Sequence, residues 1–238
     1  MISNAIARAF DEVAARERDV LNAYVPGSLP EHDDAAKPAH ESFTLNPLAA
    51  APPENAYFVT RDEEGRMLFS RDGSFELRHG ALVDSQGNAV LGYDGEGSAL
   101  APLRANAIDV AFGATASARI EIDGAVTYER STIDPRSGNR ETQRLAIGRV
   151  ALARFAAATK LQPVDAQHFL APPQIAAHFG RAADGNFGPV KPFVREDSRI
   201  DLDTGIERLQ EAYIALEALR AASRARGGLQ KTAMDLLK

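Results

Sequence analysis

Asp203-Thr204-Gly205 is the triplet in this chain that comes nearest to a catalytic signature. It is the triplet of aspartic proteases, whose chemistry needs two carboxylates sharing one proton. Only one copy is present, and the residues around it step apolar at helical spacing. The triplet therefore reads as a helix start, with Asp203 or Thr204 as the cap. The five histidines, His32, His40, His79, His168 and His178, form no HExxH or HxH pair. His32 with Asp33 and Asp34 offers a weak metal set inside a segment that reads as solvated. His168 and His178 flank a proline pair with no carboxylate cluster beside them, so a hydrolase built on them needs a pocket to gather an acid. GYDGEG, from Gly92 to Gly97, has the glycines of a phosphate loop. Phosphate, however, is held by N–H groups at a helix N-terminus, usually with a lysine, and this stretch is acidic and lies between strands. DEEG and DGEG lack the ligand spacing of a calcium loop. No serine sits in a GxSxG elbow. The residues carry no reaction, and the expectation is a non-enzyme without cofactor or metal.

Composition supports a soluble chain that does its work through surfaces. The 238 residues are 45% hydrophobic and 25% charged, with a net charge of −6. That balance gives no broad pull toward nucleic acid or anionic lipid. No apolar run approaches the roughly 18–20 residues needed to span a bilayer. Cysteine is absent, which excludes disulfides, thiolate metal sites and cysteine nucleophiles. Met1 to Phe10 lacks the pattern of a cleaved secretory signal.

The elements follow from periodicity. Ile2, Ile6, Phe10, Val13, Val20 and Leu21 recur at spacings near three and four, which predicts a helix over 1–27 closed by Pro26-Gly27. From Ser28 to Asn55 prolines, alanines and acids dominate without a period, and this reads as an extended linker. Residues 56–193 read as a β-domain. YFVT, RMLFS, SFELR, ALV and AVLGY are short strands separated by Glu-Gly, Asp-Gly, His-Gly and Gln-Gly turns. Phe75 and Leu77 share one face, with Glu76 and Arg78 on the other, so the meander is expected to bury one side. From Ile108 on the pattern is weaker but still β, with a hairpin at Asp123-Gly124, a polar loop in IDPRSGNRE, a bulge at Gly148 and a last short strand at His168–Leu170. Leu77, Leu82, Val90, Ile147 and Leu152 are the core candidates. Residues 198–238 read as a second helix. Leu202, Ile206, Leu209, Tyr213 and Leu216 form a heptad-like seam, interrupted at Gly227-Gly228.

The fold class is thus mainly β, a compact meander or barrel-like domain inserted between terminal helices that pair in a coiled coil. Narrow seams bury themselves best against one another or against neighbouring chains. The expected assembly interface is Ile6, Phe10, Val13, Ile206, Leu209, Tyr213 and Leu216.

The β-region resembles the axial proteins of the bacterial flagellum. Rod and hook proteins share a short FFxV strand, an acidic-Gly turn, and then YTRxGxFxxDxxGxLVxxxGxxVxG. Here the pattern stands as Tyr57-Phe58-Val59, Glu64-Gly65, Phe69 to Phe75, Gly80 to Val83, Gly87-Asn88 and Val90-Leu91-Gly92. FTLNPLAAA, IEIDGAV and IGRVALARF are similar to further family segments. SRIDLDTGIERLQEAYIALEAL aligns without gaps to the terminal-helix signature, keeping Ser198, Ile200, Asp201, Leu202, Leu209, Glu211, Ala212, Ala215 and Glu217 or their type. Pro26-Gly27 falls in the family's LANxxTPGF motif, with Ser28 in place of the aromatic. Asp19, Leu21, Arg199, Tyr213, Ile214 and Leu216 also depart from the family pattern.

The resemblance implies a structural subunit of the basal-body rod, proximal or distal. Its terminal helices would form a coiled-coil layer around an export channel, with the β-domain packed outside and transmitting torque. Its implied partners are further copies, other rod and hook subunits and the flagellar export apparatus, with neither nucleic acid nor membrane insertion. Its implied location is the periplasm-spanning rod of the basal body, reached by type III export without a cleaved signal. The competing reading is a β-domain that binds glycan or peptidoglycan and dimerises through its helices. That reading needs an exposed aromatic platform, and the chain has no tryptophan.

Overall fold

A computed structural model of the chain describes residues 2–95, 97, 99–133, 139–156 and 159–236. Contacts divide it into two compact units. One holds 1–24, 29–38 and 198–238, and the other holds 25–28 and 39–197.

The helical unit contains α1 (Ile2–Asn22) and, at the other end of the sequence, the long helix that closes the chain, Leu202–Leu236. That closing helix starts where Asp201 Oδ1 accepts a hydrogen bond from the Thr204 amide at 2.8 Å. The cap is therefore Asp201, not Asp203 or Thr204. A cap sits just outside the helix, so that its carboxylate reaches forward to the free amides of the first turn. Gly227-Gly228 does not interrupt the helix. Each glycine costs roughly 1 kcal/mol in a helix, which weakens it without forbidding it. Leu237 and Lys238 lie outside the described residues.

The segment expected as a linker is divided between the two units and structured in parts. A short helical turn spans Asp33–Ala35 in the helical unit, and β1 (Glu41–Phe43) and β2 (Ala50–Ala51) belong to the β-unit. Leu48, Ala49, Ala50 and Ala51 are buried. Small side chains let this run approach Gly73 closely, where a Cβ would stand 1.9 Å from the Ala50 carbonyl oxygen. Gly73 thus serves contact, not a left-handed turn.

The meander follows in the expected order: β3 (Tyr57–Arg61), β4 (Met67–Ser70), β5 (Glu76–Arg78), β6 (Ala81–Val83) and β7 (Ala89–Tyr93). Between β5 and β6 both His79 (φ 50°) and Gly80 (φ 79°) are left-handed, the geometry of a two-residue type I′ hairpin. After β8 (Leu100–Pro102) the β reading of Ile108 fails. Ala107–Ala111 is a short helix, α2, because the Asn106 side chain accepts the Ile108 amide at 2.9 Å and caps it. Next come β9 (Arg119–Ile120), β10 (Ala125–Ile133) and β11 (Arg140–Arg154). The polar loop expected between β10 and β11 falls mainly on 134–138, outside the described residues. At Val126/Thr127 the register shifts so that Gly148 and Ala146 are partners and Ile147 is left over. This is the bulge expected at Gly148.

His168–Leu170 is not the last strand. β12 (Gln162–Pro163) and β13 (His168–Leu170) are followed by β14 (His178–Arg181), β15 (Lys191–Pro192) and β16 (Val194–Glu196). These late strands are short and carry Gly and Pro, which hides them from pattern reading. They pair with distant partners: β14 with β11, β15 with β2, and β16 with β1. The closing helix is α3 (Leu202–Leu236).

All described pairings are antiparallel. β3, β7 and β11 pair with one another in all three combinations, and β11 is the spine that also takes β10 and β14. The expectation of one buried side is corrected. One cluster gathers Phe58, Phe75, Leu82, Val90, Ile147, Val150 and Leu152, with Leu77 against it. A second gathers Val59, Phe69, Leu91, Tyr93, Ala151 and Ala153 on the alternate positions. The strands YFVT, VLGY and VALA are apolar without alternation, which is how a strand covered on both faces reads.

Candidate assembly interface

Within the helical unit α1 and α3 pack on each other. They run antiparallel along the contact. Gly205 faces Val20, Tyr213 donates to the Glu17 carboxylate, and the Arg220 guanidinium lies 4.6 Å from the Phe10 ring centroid. The returning segment 29–38 is tied to the same helices. Arg16, buried, holds Glu12 at 2.9 Å and Asp34 at 2.6 Å, and Glu31 donates its amide to Asp19 at 2.9 Å. Lys37 and Asp201 exchange backbone bonds with Arg199 and Ala35 across an Ala36–Ile200 bridge.

These ties settle the His32 set. His32 Nε2 lies 3.2 Å from Glu12, its Nδ1 faces Asp19 at 3.8 Å, and Asp34 belongs to Arg16. Asp19 is almost fully buried, and burial raises its carboxyl above the ordinary aspartate value.

The seven seam residues fall into three groups. Val13 and Leu216 are buried within the chain. Ile6 and Leu209 are half-buried. Phe10 (46% exposed), Ile206 (38%) and Tyr213 (44%) remain partly open, and Ile214 (70%) and Leu21 (77%) lie more open still. Part of the seam is thus closed inside one chain, and an apolar remainder faces out.

The β-unit holds a buried polar network that the sequence reading missed. His168 is 1% exposed and lies between two carboxylates. Its Nε2 is 2.9 Å from Asp84 Oδ2 and its Nδ1 is 2.9 Å from Asp165. Burial alone would lower the imidazole, but the hydrogen bonds it donates to Asp165 and Asp84 prevail and push it up to about 9. Burial likewise opposes ionisation of Asp84, yet its hydrogen bonds from His168 and Asn88 hold it below the usual aspartate range. Next to this set, Gln167 Nε2 donates to Asp72 at 2.8 Å and to the Pro26 carbonyl at 3.1 Å, and Ser85 bridges Asp72 and Gln167. Arg71 forms a two-pronged pair with Glu196, both buried, and donates to the Ala56 carbonyl at 2.6 Å.

The expectation that no carboxylate cluster adjoins His168 is therefore wrong. Asp165, three residues upstream, was the legible half. Asp84 comes from the β6–β7 turn, which no local signal links to it. With both ring nitrogens held by carboxylates, His168 has no free acceptor to take a proton from a nucleophile. His178 stands exposed on β14, opposite Arg154 of β11, and shares no site with His168. Asp62 and Glu64 of DEEG are engaged by Arg66, and GYDGEG begins as the end of β7 and turns at Asp94-Gly95, with Glu96 outside the described residues. In the cleft of about 450 Å³ beside α2, Tyr128 donates to Asp109 at 2.5 Å and Arg130 reaches its other oxygen at 3.3 Å. Burial, then that bond, pushes the Tyr128 phenol up to about 12. Among the described residues no helix is long and apolar enough to cross a membrane.

No curated protein matches the chain. Residues 54–128 match the family model for the flagellar hook protein FlgE/F/G D1 domain. The matched stretch runs from just before β3 through Tyr128 of β10, and so contains the meander, α2 and the Asp84 half of the polar network. Over residues 54–128 the chain is thus similar to the D1 domain of flagellar hook and rod axial proteins.

Proposed function

We propose that the protein is a structural subunit of the flagellar basal-body rod, not an enzyme. Its copies, with other axial subunits, build a tube that transmits torque and encloses the export channel. The observation that carries the reading is a D1 domain at 54–128 set between two helices drawn from opposite ends of the chain. The exposed remainder of the seam, Phe10, Ile206 and Tyr213 with Ile214, supplies cohesion between copies in a coiled-coil layer. Each such side chain contributes roughly 1.5–3 kcal/mol when fully buried. A subunit that offers different surfaces to its neighbours makes contacts that do not close, and these generate a helical tube. Export through the flagellar type III apparatus delivers it there.

Ile206→Asp tests the seam with little risk to the fold, because the side chain is already open. The variant is expected to fold as the parent does, by circular dichroism, and to be absent from isolated basal bodies. Antibody labelling of the parent is expected on the rod. Label on the hook, or rods built from the variant, defeats the proposal.

A further inference from the structure

Val25–Ser28 belongs to the β-unit although the residues on both sides of it belong to the helical unit. The chain leaves the helical unit after Tyr24, spends four residues in the β-unit, and returns at Leu29. Such an excursion has to be held in place, because four residues ordered against a surface lose conformational entropy with no secondary structure to offset it.

The holding contacts are specific. The Gly27 amide donates to the Glu196 carbonyl at 2.9 Å. The Ser28 hydroxyl, fully buried, donates to the Ala166 carbonyl at 2.6 Å. The Pro26 carbonyl accepts from Gln167 Nε2 at 3.1 Å. Two of the three partners are fixed from behind. Glu196 is clamped by Arg71, and Gln167 is oriented by Asp72 and Ser85. Gly27 fits like a key. Its φ is +73°, and a Cβ there would stand 2.4 Å from the Asp72 amide nitrogen. No other L-residue satisfies both the conformation and the space. Ser28 has a reason as well, since its hydroxyl satisfies a carbonyl that a bulky aromatic could not reach as a donor.

We propose that Val25–Ser28 is a keyed latch, docked on the buried polar network of the β-unit, that doubles the covalent crossings between the two units. With the latch docked, the chain passes between the units at Tyr24/Val25, Ser28/Leu29, Pro38/Ala39 and Asp197/Ser198. Released, the first two merge into one length of chain belonging to the helical side, and two crossings remain. The docking is read in the isolated chain and does not rest on the subunit reading above.

The test is amide hydrogen exchange on the full chain. In the parent, the Gly27 amide is expected to exchange as slowly as the amides of β3 and β4. In Gly27→Ala it is expected to exchange at least about 100-fold faster, with β3 and β4 unchanged. Ser28→Ala removes one bond without strain, and about a 10-fold acceleration at Gly27 is expected. Loop-like exchange at Gly27 in the parent overturns the latch. So does protection that survives in both variants. Should Gly27→Ala unfold the β-unit, Ser28→Ala alone decides between these outcomes. Failure of the protein to assemble leaves this result untouched, so the two proposals fail separately.

Discussion

The Asp84–His168–Asp165 set should make the stability of the β-unit fall on the alkaline side of neutrality. The imidazole titrates near 6.5 when unfolded and at about 9 in the fold. Its folded value is raised, so its contribution is complete below pH 6.5 and disappears as pH climbs through about 9. Between those values the native state binds more protons than the unfolded chain, and the unfolding free energy drops by up to about 1.4 kcal/mol per pH unit. The whole effect is at most about 3 kcal/mol. The carboxylates act at the other end. The folded values of Asp84 and Asp165 are both lowered, so their contribution is present above the unfolded value of 3.8 and is lost as pH falls through the folded one. The result is a plateau from mildly acid to neutral pH with a fall on each side. Urea unfolding of the full chain, followed by far-ultraviolet circular dichroism from pH 5 to 10, measures it. His168→Gln keeps a hydrogen-bonding amide but cannot titrate, and it should flatten the segment between pH 7 and 9. A parent curve that stays level to pH 9.5, or a variant that falls as steeply as the parent, refutes the assignment of the buried proton to His168.

Two substitutions test the frame around that network. Gly73→Ala pushes a methyl group against the Ala50 carbonyl and should destabilise the β-unit by about 2–4 kcal/mol, read as a lowered urea midpoint; a midpoint like that of the parent shows that β2 can step aside. Arg71→Met leaves Glu196 buried without its partner and should cost about 3–5 kcal/mol, whereas adding Glu196→Leu should recover most of it; equal losses in the single and double variants contradict the pairing.

The meander was legible because each of its hairpins is specified locally. Gly65, His79-Gly80 and Gly87 sit where the chain must turn, and the strands between them are short apolar runs. The bulge was legible for the same reason, since Gly148 breaks an otherwise regular strand. What could not be read locally was the set of partners. Asp84 meets His168 from 84 residues away, Arg71 meets Glu196 from 125, and Ser28 meets Ala166 from 138. Each is an ordinary residue in its own neighbourhood, and only the closed sheet brings these groups into one network. α2 is a different case. Its cap, Asn106, was visible, but five helical residues give too short a period to stand against the surrounding strands.

The helices show how far a seam can be interpreted. Stepping apolar residues fix which face of a helix avoids water but not what covers it. Val13 and Leu216 are fully covered by their own chain, while Ile206 and Phe10 on the same two helices are covered only in part. The difference is geometric. Contacts between the helices run from Gly205 beside Val20 to Arg220 over Phe10. One helix covers only a single stripe of its partner, so the flanks of that stripe stay partly open. In the proposed rod, a second subunit would close those flanks. A chain that paired perfectly with itself would have no such flanks to offer, and so an imperfect internal pair is the arrangement that a building block requires.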